Sequence, residues 1–284
     1  MPELITIPDR VAGPGVLGRV RVDRRAAQAG GEPSLVILGG MTQTLASWGG
    51  QVRPLSAGRE VLVYEARGQG QSELAITDVS PARHVEDFAA LLAALAIPGP
   101  VDLCGFSFGG RIALAIAATR PELVRRLIVT GVSAGRGALG RVIVRAWQAS
   151  LATGNLEALA WLSLADTLGP AYLDRNEHML AGMVQATMSR NRYEGIRALF
   201  EQTLADDPAW EFHPTRLAPR IACPTLLLAG AHDRLAPELD SLAAVFAGPV
   251  THHIVPDVGH TVAIEAPEVW RAHVLEFLAA PSHE

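Results

Sequence analysis

Gly105-Phe106-Ser107-Phe108-Gly109 decides how this sequence is read. It follows an apolar run at 101–104 and precedes a helix-like run at 111–119, so it is placed to close a strand and open a helix. A Gly-x-Ser-x-Gly at such a junction makes a turn sharp enough to hold the serine in a strained backbone conformation. Glycines two residues to either side remove Cβ atoms that the turn would bring into collision. The serine hydroxyl then stands beyond the strand ends and at the start of a helix, where free amides and the helix dipole favour developing negative charge. That is a place from which to attack a carbonyl carbon. Glycine-rich turns also join strands to helices for structural reasons alone, so the reading depends on what the rest of the chain supplies.

Around the pentapeptide, short unbroken apolar runs recur at 35–38, 61–64, 101–104, 127–130 and 225–229. Such runs, spaced by helix-sized segments, indicate parallel strands buried on both faces. Ser80-Pro81 starts one intervening helix, with Val85, Phe88, Leu92 and Leu95 on one face and Pro98-Gly99-Pro100 ending it. Pro267 starts the last helix, with Val269, Trp270, His273, Val274 and Phe277 along a stripe. Residues 4–7 and 16–25 alternate apolar with polar and are linked through Pro14 and Gly15, an antiparallel hairpin at a sheet edge. The expected fold is α/β, a mostly parallel doubly wound sheet with an N-terminal antiparallel hairpin.

The alternation breaks between about 135 and 219, where helix-sized pieces at 141–152, 156–168, 174–188 and 193–204 follow one another with no strand-like run. The expected organisation is a catalytic core of 1–134 and 220–284, with 135–219 inserted as a helical lid over the carboxyl ends of the strands. Trp147, Trp161, Met179, Met183 and Met188 are candidates to line an apolar pocket beneath it, packing within the lid being their alternative role.

Composition narrows the chemistry. The chain of 284 residues is 49% hydrophobic and 19% charged, enough for a large core. A net charge of −5 and a pI near 6.0, with no basic stripe, argue against nucleic acid and anionic membranes as partners. All 24 basic residues are arginine, which excludes lysine Schiff-base chemistry and pyridoxal phosphate. Cys104 and Cys223 sit in apolar segments and read as inert thiols, not as a disulfide or metal site. Residues 1–11 lack the basic start and apolar run of a leader, and no uncharged stretch reaches about 18 residues, so the expectation is a cytoplasmic protein off the membrane. No cofactor is called for, and oligomeric state has no signature.

A serine hydroxyl needs a neighbouring base, and that base needs a carboxylate to fix its tautomer. Of nine histidines, His260 is best placed, because Pro256-Asp257-Val258-Gly259 carries it off the end of a strand at 251–255. His252 and His253 lie within that strand, His273 lies in the last helix, and His84, His178, His213 and His283 have no such placement. Asp233 follows the strand at 224–229 in the same way, its alternative role being a helix cap near Pro237. Asp257 is the second candidate for the acid. The clustering of His232, Asp233, His252, His253 and Asp257 matches no metal-ligand spacing, so no metal is expected.

Leu38-Gly39-Gly40-Met41, residues 65–72, the pentapeptide, Gly230-Ala231-His232-Asp233 and Val258-Gly259-His260 with Glu265-Ala266-Pro267 together resemble the lid-bearing form of the α/β-hydrolase superfamily. The order Ser107, Asp233, His260 is the one triads on that fold follow. The resemblance implies that Met41 and Phe108 supply oxyanion-hole amides, with Gly40, Arg111, Trp147 and Trp161 in substrate binding. Two positions depart from the usual pattern: Gly39 stands where histidine is common, and Glu65 where aspartate is common. Arg111, four residues after the serine, resembles an arginine that a menaquinone-pathway lyase with the same triad keeps in a site for a carboxylated substrate; a surface-paired helix arginine is its alternative. The expected activity is hydrolysis of an ester, thioester or lactone of a moderately apolar small molecule. Cleavage of a C–C bond on a carboxylated substrate, and a receptor-like protein that retains the triad, are the alternatives.

Overall fold

In the computed structural model, residues 2–281 are described; Met1 and residues 282–284, His283 among them, lie outside the described residues. Alternate residues of the central strands serve opposite faces of one sheet. In β3 (Glu32–Leu38), Leu35 and Ile37 pack on one side and Val36 and Leu38 on the other, and in β4 (Arg59–Tyr64) Val61 and Val63 oppose Leu62 and Tyr64. A strand apolar on both sides needs helices on both sides.

On one side lie α2 (Pro81–Ala94) and α3 (Phe108–Thr119); on the other lie α1 (Gly49–Leu55) and α11 (Pro267–Ala279). The stripe on α11 that reaches the sheet is Trp270, Val274 and Leu278, whereas Val269, counted on it from the sequence, is 44% exposed. The strands β1 (Glu3–Pro8), β2 (Leu17–Arg25), β5 (Val101–Phe106), β6 (Val124–Thr130), β7 (Thr225–Gly230) and β8 (Val250–Val255) complete an eight-stranded sheet of order β1-β2-β4-β3-β5-β6-β7-β8. β1 with β2 and β2 with β4 are antiparallel, and every other pair is parallel.

Between β6 and β7 the described chain is helical: α4 (Gly137–Ala152), α5 (Leu156–Thr167), α6 (Pro170–Arg190) and α7 (Tyr193–Thr203), then the short α8 (Pro214–Leu217). α6 is kinked at Asn176, whose backbone leaves the helical region at φ −121° and ψ 18°. Two more short helices, α9 (Leu239–Ala243) and α10 (Val262–Glu265), flank β8. Among the described residues no helix is long and apolar enough to cross a membrane. Both cysteines are free; burial pushes the Cys223 thiol up to about 11 and that of Cys104 further still.

Candidate active site

The pentapeptide turn is built by close approach. The ladder of β5 runs one residue beyond the strand, where the Ser107 N–H donates to the Thr130 carbonyl at 2.8 Å, and α3 starts at the next residue. Making that reversal in one step holds Ser107 at φ 53° and ψ −113°, a left-handed φ that a side-chain-bearing residue adopts at a cost. A Cβ on Gly105 would lie 2.4 Å from the Gly109 carbonyl oxygen, and one on Gly109 would lie 2.3 Å from that of Leu38. The second approach presses the start of α3 against the loop after β3.

His260 stands on the loop after β8 and Asp233 on the loop after β7. His260 Nε2 is 2.8 Å from Ser107 Oγ and Nδ1 is 2.8 Å from Asp233 Oδ2. The other carboxylate oxygen of Asp233 accepts from the Leu235 and Ala236 amides at 2.9 and 3.0 Å, so the acid is held on both sides. The His260 ring packs on Phe106 with centroids 5.0 Å apart, and the backbone N–H of His260 donates to the Thr167 carbonyl at the end of α5 at 2.7 Å. Glu265 fastens the same loop. Its Oε2 accepts from Gly259 N–H at 3.0 Å and from Gly169 N–H at 2.7 Å, and its Oε1 from the Thr261 N–H at 3.1 Å and hydroxyl at 2.9 Å. Asp257 points away, 88% exposed and 3.7 Å from His232, which removes it as the acid.

Met41 and Phe108 line the same cavity as Ser107, and their amides donate to no acceptor among the described residues. The loop carrying Met41 is held by Gln43, whose side chain accepts from Gly40 N–H at 2.9 Å, and by Asn191, which donates to the Thr42 carbonyl at 2.9 Å. Gln69, 1% exposed, donates to Gly40 at 2.7 Å. The segment carrying Gln69 is fixed in turn by Arg67, fully buried, which reaches Asp87 at 2.7 and 2.8 Å and Asp9 at 2.8 Å. Gly39 has no side chain to anchor the loop; the two glutamines and Asn191 do so instead.

Ser107 and His260 open into a cavity of about 370 Å³ roofed by α4 to α7. Gly40, Met41, Phe108, Trp147, Met179 and Met183 line it, as do Leu159, Leu164 and Phe200. Trp161 does not: it faces outward at 43% exposed, and Met188 is also absent from the walls. Arg111 is not on these walls either. It is buried behind the serine, donating to the Ala205 carbonyl at 3.0 Å and lying 3.7 Å from Asp206. Burial, reinforced by Arg136, pushes its guanidinium well below the ordinary range, with Asp206 opposing.

Two arginines do line the cavity wall, Arg190, which is exposed, and the buried Arg136, which the sequence reading passed over. Its signal was the one that singled out the other residues. Four neighbouring strands, β5, β6, β7 and β8, are followed by loops bearing Ser107, Arg136, Asp233 and His260 in that order.

A base bonded to a hydroxyl, an acid bonded to the base and two unengaged amides on the same cavity wall form an arrangement able to add an oxygen nucleophile to a carbonyl. Proteins similar to this chain include named hydrolases. The chain is 27% identical over 254 residues to pyrrolizixenacetamide deacetylase of Xenorhabdus hominickii, covering 87% of this chain and 91% of that one. It is 32% identical to 2-hydroxymuconate semialdehyde hydrolase of Pseudomonas putida, over 78% and 77% of the two chains. The fold superposes on the enol-lactonase from Burkholderia xenovorans with a TM-score of 0.79 at 24% identity, over 93% and 97%. Residues 35–272, from β3 into α11, match the family profile described as the alpha/beta hydrolase family, and with that span and these relatives the chain belongs to that family and is a hydrolase.

Proposed function

We propose that the protein is a serine hydrolase that cleaves an ester, thioester or lactone of a moderately apolar small molecule through an acyl-enzyme. The observation that carries this is the unbroken relay from Ser107 Oγ through His260 to Asp233, with both links at 2.8 Å. Ser107 Oγ attacks the carbonyl carbon while its proton passes to His260 Nε2. The Met41 and Phe108 amides receive the oxyanion, and Asp233 stabilises the imidazolium. As the tetrahedral adduct collapses, the leaving group takes the proton from His260. Water then attacks the acyl-enzyme by the same route, its proton passing to His260 and on to Ser107 Oγ as the acid is released. The insertion acts as a lid whose apolar walls hold the body of the substrate.

Ser107→Ala is expected to abolish labelling by a fluorophosphonate together with turnover of p-nitrophenyl esters. Retained labelling would remove Ser107 from the nucleophile's role. Similarity to the Pseudomonas putida hydrolase favours, as a second reading, cleavage of a C–C bond, with Ser107 and His260 relaying a proton. Inertness toward vinylogous diketones alongside rapid ester turnover excludes it.

A further inference from the structure

Behind the serine, three guanidinium groups converge on one carboxylate. Arg111, Arg136 and Arg141 approach Asp206 to 3.7, 3.7 and 3.9 Å, and His213 to 4.0 Å. Arg141 is more than half exposed and solvated, and Arg111 donates to the Ala205 carbonyl. Arg136 has neither outlet. It is 8% exposed, its Nε and Nη2 are buried without an acceptor, and none of its nitrogens donates a hydrogen bond among the described residues. Its Nε faces Asp206 Oδ1 at 3.7 Å, an oxygen itself buried without a hydrogen-bond partner, so Asp206 offsets charge without closing a hydrogen bond. Asp233, the next acid in its field, has both carboxylate oxygens engaged. A buried guanidinium with open donors is a costly arrangement unless something arrives to accept from it.

Its position says where that acceptor arrives. Arg136 lines the large cavity and also a pocket of about 20 Å³ behind the nucleophile, and Ser107 and His260 are common to both walls. The remaining cation on the large wall, Arg190, is exposed to water. Nε and Nη2 are shut from the cavity, so Nη1 is the nitrogen left accessible, on a wall that Arg136 shares with Ser107 and His260. A singly charged group suits the one guanidinium nitrogen left accessible; a dianion would require more donors than this arginine offers.

We infer that Arg136 binds a carboxylate of the substrate, so that the molecule cleaved has an apolar body and a free carboxylate close to the scissile carbonyl. The binding site stands on its own geometry; only the fate of the bound molecule rests on the serine hydrolase reading.

The probes are the mono-p-nitrophenyl ester of glutaric acid and its methyl-capped diester, which differ in the carboxylate alone. Wild-type protein is expected to favour the free acid by about tenfold or more in kcat/KM, and Arg136→Gln to erase that preference, with Arg136→Lys between them. A wild-type protein that turns over both esters without preference overturns the carboxylate site and leaves the hydrolase reading standing, whether or not the variants fold. Calorimetric titration of the Ser107→Ala protein separates the converse. Tighter binding of the acid than of the diester, lost when Arg136→Gln is added, supports the site even if no ester is hydrolysed; equal binding overturns it.

Discussion

The side-chain amide of Gln69 donates to the carbonyl oxygen of Gly40 at 2.7 Å, and so fixes the peptide whose other end is the N–H of Met41. That peptide is trans, so its carbonyl and N–H point in opposite directions, and the N–H is turned away from Gln69. Gln69 cannot flip, because its Oε1 is committed to the Ala66 N–H at 3.0 Å. Gln69→Ala is expected to lower kcat at least about tenfold with little change in KM, since an oxyanion donor matters only once charge has developed. Steady-state kinetics check this, and a fall in kcat/KM arising wholly from KM would refute it.

Glu265 ties the histidine's loop to the start of α6 through four accepted hydrogen bonds. Glu265→Ala leaves three amides and a hydroxyl to find other partners in partly buried surroundings. A loss of about 3 kcal/mol in denaturant unfolding is expected, together with a reduced kcat as His260 loses its support. A loss below about 1 kcal/mol would show that water replaces the carboxylate.

His84 is buried in a T-shaped contact with Phe108, and burial, with Arg67 nearby, pushes its pKa down to about 3. In the folded protein it stays neutral while the unfolded chain takes up a proton below about pH 6.5, so the unfolded state binds more protons and stability falls as pH drops. Between about pH 7 and pH 5 this group removes about 2 kcal/mol. His84→Phe should flatten that part of the stability curve. Parallel curves for variant and wild type, measured by urea unfolding across the range, would overturn the assignment.

How much was readable follows from how local each cause is. Strands such as β3 were legible because both faces are apolar and the run is short, and the strand ends then marked Ser107, Asp233 and His260 as candidates. The wall of the cavity was harder to read. Helix α5 carries Leu156, Leu159, Trp161, Leu162 and Leu164 around its circumference, so no stripe says which side faces inward, and Trp161 and Leu162 prove to be on the outer side. The choice between Arg111 and Arg136 was not written locally at all. Arg111 is engaged by the carbonyl of Ala205, 94 residues away, and only the folded chain shows which arginine is left with open donors. Gln69 and Glu265 both stood in recognised segments, but their work is hydrogen bonding to backbone groups of other loops, which no spacing reveals.

The backbone hydrogen bond from His260 to Thr167 bears on engineering by exchange of the helices between β6 and β7. Because the backbone of His260 donates to the end of α5 and Glu265 reaches Gly169, the stretch between α5 and α6 belongs mechanically to the loop that carries His260. A transplanted insertion that replaced it would arrive without part of the histidine's own mounting. Cut points are better placed on either side of this stretch, so that a chimera brings new walls to the chamber and keeps the host's hold on its base.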